Sequence, residues 1–116
     1  MPTETALTRS IIKMLERIPE SFVMKIWGSA YAKGGIPDIM FIVRGVTFFF
    51  EVKVGRNKPT KLQLHRMDKL RCAGAEVFVV RSVAEVETAV TLYLPAKTIN
   101  AAGGTPGVCD SRKAAE

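Results

Sequence analysis

A chain of 116 residues with 17 Lys and Arg against 11 Asp and Glu carries a formal net charge of +6; it has room for one domain with a real core, not two. The excess positive charge favours an anionic partner, nucleic acid ahead of a membrane surface. No apolar run approaches the ~20 residues that span a bilayer, and Met1-Pro2-Thr3-Glu4 lacks the pattern of a secretion signal.

The elements follow in chain order. From Thr5 to Ile18, Leu7, Ile11, Met14, Leu15 and Ile18 recur at helical spacing, and Pro19 ends the helix. Phe22 to Trp27 is a short, β-capable apolar run, with Trp27 expected in the core. A loop over Ser29 to Gly35 leads to Ile36, which Pro37 biases toward extended backbone, so a strand is expected from Asp38 to about Arg44. Gly45 makes a connection too short for a crossover, so the next strand, Val46 to Val54, returns antiparallel as a hairpin. After the basic loop Gly55-Arg56-Asn57-Lys58-Pro59, a helix is predicted from Thr60 to about Ala73, capped at its C-terminus by Gly74. Glu76 to Arg81 is a strand. Ser82-Val83-Ala84-Glu85 has the form of a capping box opening a last helix to about Leu92.

The resulting order, α-β-β-β-α-β-α, describes an α/β domain with a mixed central sheet flanked by helices. Residues 1–95 form that domain, and 96–116, rich in Ala, Gly, Thr, Pro and charge, are expected to be a flexible tail. Cys72 and Cys109 lack the paired spacing of a zinc site or a disulfide framework, and Cys72 is expected to be a small buried apolar residue. A soluble, intracellular protein follows as the expectation.

Chemistry concentrates on the hairpin. Glu51-Val52-Lys53 closes the apolar run Val46-Thr47-Phe48-Phe49-Phe50. Alternation puts Glu51 and Lys53 on one face, ~6–7 Å apart, where ionised groups are costly unless something offsets their lost hydration. Asp38, beginning the neighbouring strand, can lie across from them. Two converging carboxylates and a backbone carbonyl make the oxygen ligand set that Mg²⁺ prefers alongside water and phosphate oxygens. A metal beside a lysine can orient and acidify a water. The plainer alternatives are a structural Glu51–Lys53 ion pair and, for Asp38, a turn residue after proline.

Gly35-Ile36-Pro37-Asp38, then Glu51-Val52-Lys53, then Gln63 on the next helix and Ala73-Gly74-Ala75 after it, resembles the VRR-NUC branch of the PD-(D/E)XK nuclease superfamily in its small, stand-alone, phage-type form. The resemblance spans about residues 5–90 and implies a restriction-endonuclease-like core with Mg²⁺ or Mn²⁺ as cofactor. It implies that Asp38 and Glu51 bind metal with the Val52 backbone carbonyl, and that Lys53 positions and activates the attacking water. Gln63 would support the lysine or contact phosphate, although Thr60-Lys61-Leu62-Gln63 is itself a capping box in which Gln63 would bond back to Thr60. An acid from the first helix would complete the metal shell, with Glu16 the natural candidate and Glu20 the second.

Lys61, His65 and Lys69 lie four apart on one helical face. With Lys58 and Arg66 they read either as a solvated face or as phosphate contacts, and His65 as structural or phosphate-binding. Tyr31 and Lys33 would flank the DNA backbone. The family likeness implies a structure-selective endodeoxyribonuclease acting as a homodimer on branched DNA such as four-way (Holliday) junctions, in the cytoplasm of a bacterial cell or phage-infected host. A non-catalytic basic DNA-binding protein on the same fold, and a nuclease for linear DNA or RNA, are the alternatives.

Overall fold

The computed structural model describes residues 3–27 and 34–99, with side chains as far as Tyr93. The element order is α1 (Glu4–Glu16), β1 (Ser21–Lys25), β2 (Ile39–Val43), β3 (Val46–Val52), α2 (Lys61–Cys72), β4 (Glu76–Val80) and α3 (Val83–Ile99), the order read from the sequence. The strands form one mixed sheet in the order β1-β2-β3-β4. β1 and β2 pair antiparallel, as do β2 and β3, whereas β3 and β4 run parallel.

Local chemistry explains these joins. Arg44 and Gly45 both take positive φ, 49° and 80°, the two-residue hairpin geometry whose twist matches the flanking strands. A parallel pair needs a crossover, and α2 supplies it. Thr60 and Gln63 form the reciprocal box that opens α2. Gly74, at φ 105°, ends it: the Gly74 and Ala75 amides donate to Arg71 and Leu70 carbonyls, satisfying the last turn.

The two faces of the sheet differ. On one, Ile39, Phe41, Val43, Val46, Phe48 and Phe50 pack against Leu7, Ile11 and Leu15 of α1 and Val86, Ala89 and Val90 of α3. Phe48 and Phe50 stack with ring centroids 5.8 Å apart. Each such side chain stabilises the fold by roughly 1.5–3 kcal/mol on burial. On the other face α2 packs on β4 and reaches β3 through Gln63, and no described helix covers β1 or β2 there.

Several expectations are corrected. β1 stops at Lys25 and is an edge strand, so Trp27 is 75% exposed instead of lying in the core. α3 continues past Leu92 and Pro95 to Ile99, into the segment assigned to the tail; 100–116 lie outside the described residues. Cys72 is half-buried, where a buried apolar residue was expected. Glu85 closes its box one residue further back than expected, accepting from the Arg81 amide at 2.8 Å. Among the described residues no helix is long and apolar enough to cross a membrane.

Candidate active site

Asp38 is held from three sides. Its amide donates to the Phe50 carbonyl at 3.1 Å, and its carbonyl accepts from the Ile26 amide at 2.7 Å. Its Oδ2 accepts the Val52 amide at 2.8 Å. The side chain thereby replaces a ladder acceptor and locks the aspartate beside Glu51-Val52-Lys53. The approach to it depends on glycine. Gly35 has φ 84°, and a Cβ there would stand 2.8 Å from the Leu62 carbonyl oxygen in the first turn of α2. That close packing, with Arg66 Nε donating to the Gly34 carbonyl at 3.2 Å, presses the Asp38 loop onto the helix that carries Gln63.

Glu51 is 3% exposed. Its Oε2 lies 3.3 Å from Lys53 Nζ and accepts from Gln63 Nε2 at 3.0 Å. Among the described residues its Oε1 is buried with no hydrogen-bond partner. Burial, reinforced by the Asp38 charge and opposed by Lys53, raises the Glu51 carboxyl from 4.5 to about 7, and the Glu4 charge pushes it the same way. Gln63 forms the capping box and, instead of reaching Lys53, also donates to Glu51. Its Oε1 accepts the Thr60 amide at 2.8 Å while its amide group donates to Glu51, an orientation the donor and acceptor on either side require.

Asp38, Glu51, Lys53 and Gln63 are thus brought together. Glu16 and Glu20 are not. Both are exposed and flank the turn into Ser21, which pairs with Val43, five strand positions or ~16 Å from Asp38. The first-helix acid whose charge reaches Glu51 is Glu4, which also accepts from Asn57 Nδ2 at 3.5 Å. Sequence reading missed Glu4, yet a signal existed. The tight turn at Pro19 folds α1 back along β1, so its N-terminus lies at the end where β1 meets Asp38.

Lys58, Lys61, His65 and Lys69 are exposed, whereas Arg66 is half-buried and tied to Gly34. Tyr31 and Lys33 lie outside the described residues.

The donor set fits a hard divalent cation. A buried carboxylate oxygen without a partner, beside a second carboxylate, is costly until a cation or donor satisfies it. Among the described residues, no group of three or more acidic, His or Cys side chains is gathered closely enough to hold a metal ion. Mg²⁺ does not need one, because it keeps several waters and takes phosphate oxygens.

Two carboxylates and a lysine on a hairpin, facing a crossover helix in a mixed sheet, define the restriction-endonuclease-like fold of the PD-(D/E)XK nucleases. A solved VRR_NUC domain is 33% identical, with a TM-score of 0.65 over 78% of this chain and 96% of its own. A VRR_NUC domain protein at 18% identity has a TM-score of 0.67 over 82% and 90%. Archaeoglobus fulgidus Hjc, a Holliday junction resolvase, shares the fold at 18% identity, with a TM-score of 0.54 over 67% of each chain. No sequence model of a family matches the chain, and no curated protein does. The chain belongs to the VRR-NUC family.

Proposed function

We propose that this protein is a Mg²⁺- or Mn²⁺-dependent endodeoxyribonuclease that hydrolyses phosphodiester bonds in branched DNA such as four-way junctions. One observation carries the reading: the buried Glu51 has one oxygen engaged by Lys53 and Gln63 and the other without a partner among the described residues, beside Asp38. Asp38, Glu51 and the Val52 carbonyl would hold the cation, which when bound offsets phosphate charge and acidifies a water. Lys53 directs its ammonium at the water and at the charge that develops on the phosphate. Gln63 fixes Glu51 Oε2 and leaves Oε1 for the site. Glu4 takes the first-helix role expected of Glu16, supported by its electrostatic reach to Glu51.

Lys58, Lys61, His65 and Lys69, with Lys33, track the DNA backbone, and Arg66 contributes through the Gly34 loop. Two copies act as a homodimer. Phe22 and Met24, 56% and 42% exposed on the edge strand β1, support a two-fold contact on the uncovered sheet face. The setting is the cytoplasm of a bacterial cell or phage-infected host.

The test is cleavage of a labelled four-way junction, its matched linear duplex and an RNA counterpart, each with Mg²⁺, Mn²⁺ or EDTA. Glu51→Ala and Lys53→Ala are assayed beside the wild type for cutting and for binding. Metal-dependent cutting of the junction, lost in both variants while binding persists, is expected. Binding without cutting of any substrate would transfer the assignment to a non-catalytic DNA-binding protein. Equal cutting of linear duplex or RNA would remove the preference for branches.

A further inference from the structure

Trp27 takes no part in the hydrophobic core formed by the described residues. It is 75% exposed, directly after Ile26, whose amide donates to the Asp38 carbonyl at 2.7 Å. A cross-strand neighbour lies ~5 Å away and one further residue adds ~4 Å, so the Trp27 and Asp38 backbones stand within about 9 Å. Lys25 Nζ sits over the indole, 4.9 Å from the ring centroid. An exposed aromatic face backed by an ammonium, at the catalytic end of a sheet in a chain of net charge +6, matches the chemistry of an unstacked base joined to a phosphate.

We infer that Trp27, with Lys25 behind it, is a stacking platform for an unpaired DNA nucleotide next to the scissile phosphate. The inference rests on the nuclease reading and deepens it by assigning a residue to substrate selection. Inside a duplex, both faces of each base are covered by its neighbours. Only a base at a branch, flap or bulge presents a free face, and extruding a paired one costs unstacking energy. Trp27 therefore selects for locally unpaired DNA, while the lysines of α2 bind phosphates regardless of pairing. A contact with a second protein chain is the competing use of an exposed tryptophan.

Trp27 is the single tryptophan of the chain, so fluorescence under tryptophan-selective excitation reports on it alone. The 116-residue chain in EDTA is titrated with a paired duplex and with the same duplex carrying three unpaired thymidines. The bulged DNA is expected to quench the emission and the paired DNA is not, with the difference surviving added salt. Trp27→Ala is expected to lower the binding preference for bulged over paired DNA by about 5- to 100-fold, and Trp27→Phe to retain most of it. Equal quenching by both DNAs, or an unchanged preference in Trp27→Ala, overturns the inference. So does a Trp27→Ala protein whose only change is its sedimentation as monomer instead of dimer. None of these readouts requires cutting. Cleavage without selective quenching removes the stacking role and leaves the nuclease; selective quenching without cleavage does the reverse.

Discussion

β3 presents two different surfaces, and each is closed in a different way. Phe48 and Phe50 face α1 and α3 across an apolar layer in which burial itself is favourable. Glu51 is as hidden as its neighbours at 3% exposure, but its carboxyl is pushed to about 7 because burial disfavours its charge. One surface stabilises the fold, and the other holds a charged group at a cost the first must offset. The contrast teaches that a cation at the proposed site would offset a cost that burial imposes on the Glu51 carboxylate.

The largest effect should come from opening the apolar side. Phe48→Ala is expected to lower unfolding stability by about 3–5 kcal/mol, read from urea or thermal melts.

The acidic side should respond to pH. Because the folded Glu51 carboxyl lies at about 7 against 4.5, the folded state binds the extra proton between those values. Stability of the metal-free protein should therefore fall as pH rises from about 4.5 through 7, by at most ~3 kcal/mol from this group. Glu51→Gln should flatten that part of the pH–stability curve. Adding Mg²⁺ or Mn²⁺ should reverse it, since binding favours the deprotonated carboxylate; an unchanged slope with metal would sink the cation site.

Gln63→Ala removes both a helix cap and a donor to a buried carboxylate, and should cost about 1–2 kcal/mol in melts. A capping role alone would leave the Glu51 pH midpoint in place; loss of the donor should move it upward. Smallest of all, Glu4→Gln should shift that midpoint slightly downward by removing a neighbouring negative charge. Glu16→Gln should leave it where it is. Equal behaviour of the two would undo the preference for Glu4.

Much of this was legible because it is local. The helical spacing of Leu7, Ile11 and Leu15, the Arg44-Gly45 turn and the alternation along β3 depend on near neighbours and backbone sterics alone. The pairing of Asp38 with the Glu51 strand was legible too, since a two-residue turn sets the hairpin's register.

Three features needed the third dimension. The charge of Glu4, not of Glu16, reaches Glu51 because the direction in which α1 packs decides which helix end lies near it. Trp27 left the core because β1 became an edge strand, which its own residues do not specify. Gln63 fills two roles because Gly34 and Gly35 let the Asp38 loop lie against α2. By itself the sequence determined the elements, the hairpin and the chemical identity of the site residues, through short-range sterics and the period of its apolar pattern. Tertiary structure decided which charges meet and which aromatic stays in water, because Coulomb interaction and burial depend on distances between segments far apart in the chain.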